Sequence, residues 1–118
     1  MTIEQSGRHA GQSPGDSLPL PRQLVGDGSL VAVRVSGDAM IGAAITDGDW
    51  AVVRQQDDAG NGELVAVLLD GADGPADVRM LSRTADGAWL IAGNPAYPAV
   101  PAARATILGK VVSVLRRI

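Results

Sequence analysis

The sequence predicts an all-β domain, mainly antiparallel, with at most a short helical turn. Short apolar runs rich in Val, Leu and Ile follow one another from Leu18 onwards, and clusters of Gly, Asp, Asn or Pro separate them. Apolar runs of this length between turn residues are typical of strands. Only residues 42–45 are compatible with a turn of helix.

The first predicted strand covers residues 29–36, SLVAVRVS. Valine recurs at every second position, while Ala32, Arg34 and Ser36 occupy the alternate positions. A period of two predicts a strand that is buried on one face and exposed on the other. We interpret Ser36, at the end of this strand, as structural.

Later apolar runs predict the rest of the sheet. The segment DDAGNG between the first two of these runs predicts a β-hairpin, and Ala85-Asp86-Gly87 predicts a turn between the third and the fourth. The further predicted strands are 49–55, 63–70, 76–83, 88–93 and 106–118.

The chain of 118 residues is long enough for one domain. Residues 1–17 are rich in Gly, Ser and Gln and predict a flexible arm, while residues 18–118 form the domain. No run approaches the roughly 18 apolar residues that span a bilayer. The N-terminus also lacks the apolar stretch of a secretory signal. We therefore expect a cytoplasmic protein with no membrane contact.

Composition argues against direct binding of nucleic acid. The net charge is −3, whereas phosphate backbones select clustered basic faces. Two Trp and one Tyr leave no platform on which bases could stack. The basic pair Arg116-Arg117 is interpreted as the solvated end of a strand.

No metal or cofactor is predicted. The chain has no Cys, and its single histidine, His9, lies in the arm, so that neither a thiolate metal site nor a histidine-based triad can be assembled. Asp47 and Asp49 are suitable ligands for a hard cation, but Asp-Gly-Asp between two strands is more typical of a turn. The segment ILGK lacks the first glycine of a phosphate-binding loop.

Several motifs resemble the C-terminal peptidase domain of LexA-type SOS repressors, especially the actinobacterial branch. The resemblance begins at Pro19, extends to the C-terminus and implies the β fold shared by LexA and signal peptidases. The matching segments, in family order, are PLPRQLVGDGSL, VSGDAM, AAITDGDWAVVRQ, NGELVAV, VRMLSR, GNPAYPAVP and ILGKVVSVLR.

The resemblance implies a Ser-Lys dyad that cuts an Ala-Gly bond of its own chain, stimulated by RecA filaments on single-stranded DNA. The turn that carries the serine in the family aligns with Gly37-Asp38-Ala39-Met40, so Ala39 occupies the position of the nucleophile. Around it, Gly37 permits the turn, Asp38 closes it and Met40 fills the core.

The position of the base is occupied by Arg79, which precedes Asn94 by the family's spacing, with residues 80–93 between them. Deprotonating an arginine at pH 7 costs about 7 to 9 kcal/mol, so a guanidinium donates hydrogen bonds but does not act as a base. The only lysine, Lys110, is predicted at the surface of the last strand. Arg79 either binds a carboxylate or a peptide carbonyl in the old cleft or lies on a solvated face. We therefore expect no peptidase activity.

Two further features follow from the resemblance. LexA-type repressors carry an N-terminal helix-turn-helix domain, whereas 18 residues precede the match here, so we expect that the chain does not read an operator by itself. The arm segment GRHAGQS resembles the family's cleavage neighbourhood, with Ala10-Gly11 as the bond.

The last strand is the predicted dimerisation element. In the family the final strands pair across a two-fold axis, which implies a homodimer here, and a shared edge would also allow a mixed dimer with LexA. Contact with RecA is a further possibility. The predicted dimer strand consists of Val111, Val112, Ser113, Val114 and Leu115.

Three functional hypotheses remain open at this point. The first is a catalytically inactive LexA-like module that acts through protein contacts in the SOS response. The second is a UmuD-like accessory subunit of a translesion polymerase. The third is a residual serine-type peptidase with another nucleophile, or one in which Ala39 replaced a serine by engineering.

Overall fold

A computed structural model describes residues 2–5, 17–69 and 76–118. Three short helical segments lie in these ranges: α1, Arg22–Val25, and two 3-10 helices, Ile41–Ala43 and Ala102–Arg104. The strands are β1 Thr2–Gln5, β2 Ser17–Pro19, β3 Leu30–Arg34, β4 Trp50–Gln55, β5 Leu64–Leu69, β6 Asp77–Thr84, β7 Gly87–Ile91, β8 Val100–Pro101 and β9 Ala105–Leu115.

The described strands form one sheet in the order β2-β1-β3-β4-β9-β5-β6-β7-β8. Only the pair β1–β3 is parallel. The predicted mainly antiparallel β fold is therefore confirmed, and the six strands predicted from residue 29 onwards are found as β3, β4, β5, β6, β7 and β9. The predicted turn at residues 85–87 is also found, because β6 and β7 pair up to Thr84 and Gly87.

The predicted hairpin between residues 49–55 and 63–70 is wrong. Strand β9 lies between β4 and β5 and pairs with both, Arg54 and Val65 each facing Lys110. Strands β4 and β5 are both apolar along most of their length and buried, so each requires a neighbour on both edges. Gly109 allows the close approach of β9, because a Cβ there would overlap the carbonyl oxygen of Arg54.

The prediction that residues 29–36 are buried on one face only holds in part. Val33 and Val35 lie in one core cluster, and Arg34 and Ser36 are exposed as predicted. Ala32, however, is buried in a second cluster together with Leu30 and with Val25 of α1. A third cluster, on β5, β6 and β7, consists of Val65, Val67, Leu81 and Leu90.

Helical structure is slightly more extensive than predicted. The expected turn at 42–45 is found at Ile41–Ala43, but α1 and the second 3-10 helix were not predicted. Helix α1 begins after Pro21 and ends before Gly26. The φ of Gly26 is 73°, and its N–H donates to the carbonyl oxygen of Arg22. Proline before a helix and glycine after it are local signals, but four residues are too few for a periodic pattern.

Part of the predicted arm belongs to the sheet, since β1 pairs with β2 and β3. Residues 6–16 lie outside the described residues, so the boundary between arm and domain at residues 17 and 18 stays a prediction. None of the helices in the described ranges has the length and apolar character that crossing a membrane requires.

Candidate functional site

The turn at residues 37–40 connects β3 to the first 3-10 helix. Gly37 has a φ of 88°, a conformation that favours glycine, and its N–H donates to Oδ1 of Asp47 at 2.8 Å. The carbonyl oxygen of Asp38 accepts a hydrogen bond from Nδ2 of Asn94 at 3.1 Å. The turn is therefore held from two sides, by the segment after it and by the segment around Asn94.

Ala39 and Met40 are buried behind this turn. Met40 belongs to the first core cluster, and its Sδ accepts the N–H of Gly93 at 3.1 Å. The N–H of Gly42 donates to the carbonyl oxygen of Gly93 at 2.7 Å, and a Cβ at Gly42 would overlap that oxygen. These contacts hold the turn in place, and the side chain it carries at position 39 is a methyl group with no nucleophilic atom.

Arg79 is buried on β6 with 4% of its surface exposed, so the alternative of a solvated face is wrong. Its Nε and Nη2 lie 3.1 and 3.0 Å from Oδ2 of Asp77. Its Cζ lies 5.4 Å from the ring centroid of Tyr97, within the range of a cation–π contact. Nη1 is buried and has no hydrogen-bond partner in the part of the chain that the structure describes.

Tyr97 connects Arg79 to Asp38, the residue before Ala39. Its hydroxyl donates to Oδ1 of Asp38 at 2.5 Å, while its ring lies against Arg79. The hydrogen bond to the Asp38 carboxylate raises the pKa of Tyr97 above its ordinary value. Sequence reasoning missed Tyr97 and Asp77, although Tyr97 lies in the segment GNPAYPAVP that carries the resemblance.

An apolar cavity of about 230 Å³ adjoins the turn. Met40, Leu64, Met80 and Ile91 supply its side-chain walls, and Gly93 supplies backbone. The only lysine, Lys110, lies on β9 as a half-exposed residue whose Nζ is 2.5 Å from Oε2 of Glu63, so its predicted surface position holds in part.

Asp49 has a structural partner. It is 2% exposed, and Nε and Nη2 of Arg116 each lie 2.8 Å from one of its carboxylate oxygens, while the N–H of Thr46 donates to Oδ2 at 2.9 Å. The Arg116 hydrogen bond lowers the pKa of Asp49 to about 2. Arg116 and Arg117 are exposed at the end of β9 as predicted, but the sequence did not predict the ion pair of Arg116 with Asp49. The described residues contain no group of three or more His, Cys, Asp or Glu that could hold a metal ion.

The predicted dimer strand is the second half of β9. Its residues 111–115 pair with β4, whereas the pairing with β5 covers residues 105–110. Within the described part of the chain, the edge of residues 111–115 that faces away from β4 therefore carries no strand. Val114 is 37% exposed. The predicted cleavage relic, Ala10-Gly11, lies outside the described residues.

Comparisons with known proteins agree with this architecture. The family described as Peptidase S24-like matches residues 5–112. The chain is 52% identical over 103 residues to the LexA repressor of Mycobacterium leprae (strain Br4923), covering 87% of this chain and 43% of that protein. It is 53% identical over 109 residues to the LexA repressor of Streptomyces avermitilis, covering 92% of this chain and 45% of that protein.

A third relative is the LexA repressor 2 of Nocardia farcinica (strain IFM 10152), 51% identical over 109 residues, with 92% of this chain and 44% of that protein covered. The predicted resemblance is thus confirmed. The chain spans less than half the length of these relatives.

Proposed function

We propose that this chain, which belongs to the Peptidase S24-like family, is a LexA-like domain that does not cleave itself. Its proposed role is that of a protein-interaction and dimerisation module in the SOS response to DNA damage. The observation that carries the proposal is the chemistry of the turn and of β6. A buried methyl group occupies position 39, and a buried, ion-paired guanidinium occupies position 79.

Neither group can replace a serine or a neutral lysine amine. Ala39 has no atom that could attack a carbonyl carbon. The Arg79 guanidinium is bound to the carboxylate of Asp77, and a guanidinium donates hydrogen bonds but does not act as a base. Lys110, on β9, forms an ion pair with Glu63.

The open edge of β9 supports the interaction role. An unpaired strand edge is a template for pairing with a second strand, and a symmetric pair of identical edges makes a closed dimer. Exposed Leu24 and Val114 supply apolar surface beside it, and the Ser113 hydroxyl donates to the carbonyl oxygen of Leu24. The same edge offers a route to a mixed dimer with a LexA repressor.

Loss of activity is tested by incubation at mildly alkaline pH, with and without RecA filaments, followed by mass spectrometry. We expect the chain to stay intact under conditions in which the LexA repressor of Streptomyces avermitilis is cut. A fragment beginning at Gly11 would contradict the proposal. Recovery of cleavage in an Ala39→Ser/Arg79→Lys double variant, and in neither single variant, would attribute the loss to these two positions.

Dimerisation is tested by size-exclusion chromatography with light scattering. We expect a dimer, and we expect Val114→Asp to shift it towards monomer because two carboxylates would meet at the shared edge. Ile41→Asp is the matched control, since Ile41 is also an exposed apolar residue but lies outside β9. A monomer at all concentrations, with no mixed species on addition of LexA repressor, would overturn the interaction role.

A further inference from the structure

We propose that the pocket between α1 and β9, with Arg54 at its wall, is a binding site for a carboxylate. The pocket has a volume of about 320 Å³ and is lined by Arg22, Arg54 and Lys110 together with backbone of α1 and apolar residues of β9. It involves neither Ala39 nor Arg79, but its walls include Leu24, Val111 and Val112, so it adjoins the proposed dimer edge. Carboxylate binding there goes beyond the proposed function.

The pairing of β4 with β9 places two cations opposite each other, Arg54 facing Lys110. Like charges at directly opposed positions of a sheet are destabilising unless an anion compensates them. Glu63 forms its ion pair with Lys110 through Oε2, while its Oε1 accepts the N–H of Gly60. The hydrogen bond from Lys110 and, to a smaller extent, the charge of Arg54 lower the pKa of Glu63, but Arg54 has no ion pair with it among the described residues.

Arg22, the third cation of the pocket, forms an ion pair with Asp27, with 3.2 Å between Nε and Oδ1. Among the described residues, Arg54 has no carboxylate partner. Three cations and two carboxylates leave one positive charge at this pocket, although the chain as a whole has a net charge of −3. A ligand with a single negative charge would balance it.

The hydrogen bonds of Arg54 are also incomplete. Its Nη2 lies 3.5 Å from the carbonyl oxygen of Val25, at the limit of a hydrogen bond, and its buried Nε has no partner among residues 2–5, 17–69 and 76–118. Unsatisfied donors of this kind are rare in native proteins and require an explanation. A carboxylate accepts two parallel N–H groups of a guanidinium, so one bound at the terminal nitrogens of Arg54 would add acceptors to this incomplete set.

Two glycines hold the Arg54 side chain in place. Gly26 and Gly28 both have positive φ, 73° and 107°. A Cβ at Gly26 would lie 2.8 Å from Nη2 of Arg54, and one at Gly28 would lie 3.2 Å from its Cγ. Since glycine has no side chain, only the backbone of these two residues packs against Arg54, and neither residue separates Arg54 from the pocket.

The test is a titration of the ¹⁵N-labelled chain with sodium acetate, with sodium chloride at equal ionic strength as the reference. We expect saturable shifts of the Arg54 Nε–H signal and of the amides of Gly26 and Gly28. Arg54→Gln should weaken binding about tenfold or more, since hydrogen bonds to a charged group are lost. Arg54→Lys, which keeps the charge but lacks the fork, should weaken it less.

The matched control is Arg83→Gln, which removes a cation of β6 that is paired with Asp58 and lies outside the pocket, and it should bind acetate as the wild type does. Shifts that are linear in acetate, equal in chloride, or unchanged in Arg54→Gln would overturn the site. A second titration with a hexaglutamate peptide identifies the source of the carboxylate. Binding much tighter than that of acetate indicates an acidic side chain of a partner, and equal binding per carboxylate indicates a free organic acid.

Discussion

Among the described residues, Asp49 and Arg79 are the two charged side chains that are buried, and their environments differ in one decisive respect. Asp49 receives two hydrogen bonds from Arg116 and one from the backbone of Thr46. Arg79 forms its ion pair with Asp77 and lies against the Tyr97 ring, but within the described ranges its Nη1 has no acceptor. A buried charge stabilises a fold only when its partners satisfy it, so the two residues should respond to mutation in different ways.

The Asp49 ion pair also joins distant parts of the chain. Arg116 follows β9, and besides Asp49 it donates to the carbonyl oxygen of Ala44, which has a φ of 62°. The end of the predicted dimer strand is thereby fastened to the segment that follows Ala39. Arg79, by contrast, is neutralised by the residue two positions before it on the same strand, and its contact with Tyr97 is the longer-range one.

The largest effect is expected at Asp49. Asp49→Asn should lower the free energy of unfolding by about 2 kcal/mol, less than for a fully buried pair because Arg116 reaches water. Urea denaturation measures this loss. Asp57→Asn, an exposed carboxylate, is the control and should be neutral within about 0.5 kcal/mol. An equal effect of both variants would remove the distinction between the buried carboxylate and an ordinary surface charge.

Lowering the pH should weaken the same ion pair. The pKa of Asp49 is lowered from 3.8 to about 2, so its contribution to stability is present above 3.8 and is lost as the pH falls through about 2. The wild type should therefore lose more stability between these two pH values than an Arg116→Gln variant. Parallel urea titrations at several pH values decide this. If the free energy of unfolding changes equally steeply with pH in both proteins, this loss of stability cannot be attributed to the Asp49–Arg116 ion pair.

The opposite behaviour is expected at Arg79. Arg79→Met should leave the free energy of unfolding unchanged or raise it by up to about 1 kcal/mol, because it removes a buried unsatisfied N–H and leaves a partly exposed Asp77 that water can solvate. Urea denaturation compares this variant with Asp49→Asn. A loss as large as that of Asp49→Asn would show that the contacts with Asp77 and Tyr97 outweigh the missing acceptor.

The smallest effect concerns Tyr97 and can be read directly, since it is the only tyrosine in the chain. Its absorbance at alkaline pH should titrate above the ordinary tyrosine pKa of 10.0, because its hydroxyl donates to the Asp38 carboxylate. Asp38→Asn should move the midpoint down towards 10.0. The stabilisation by this hydrogen bond is present below pH 10.0 and is lost as the pH rises through the higher value in the folded chain. A midpoint that does not respond to Asp38→Asn would exclude the hydrogen bond in solution.

Local signals sufficed for much of the fold. Alternating valines and turn residues located β3, β6 and β7, because a strand and a two-residue turn depend on neighbours in sequence. The predicted hairpin between β4 and β5 is wrong because β9, which lies much later in the chain, occupies the position between the two strands. Similarly, Ala32 was assigned to solvent because the covering residue, Val25, precedes the strand in an element too short to predict.

The sequence by itself determined the family resemblance, the β class, the alanine in the turn and the absence of a lysine at position 79. These are properties of residue identity and order, and no contact is needed to read them. Only the tertiary structure decided that Arg116 meets Asp49, that Tyr97 bridges Asp38 and Arg79, and that Arg54 faces Lys110. The physical reason is that strand neighbours and ion-pair partners are chosen by the burial of whole faces, which joins residues far apart in the chain and leaves no local pattern.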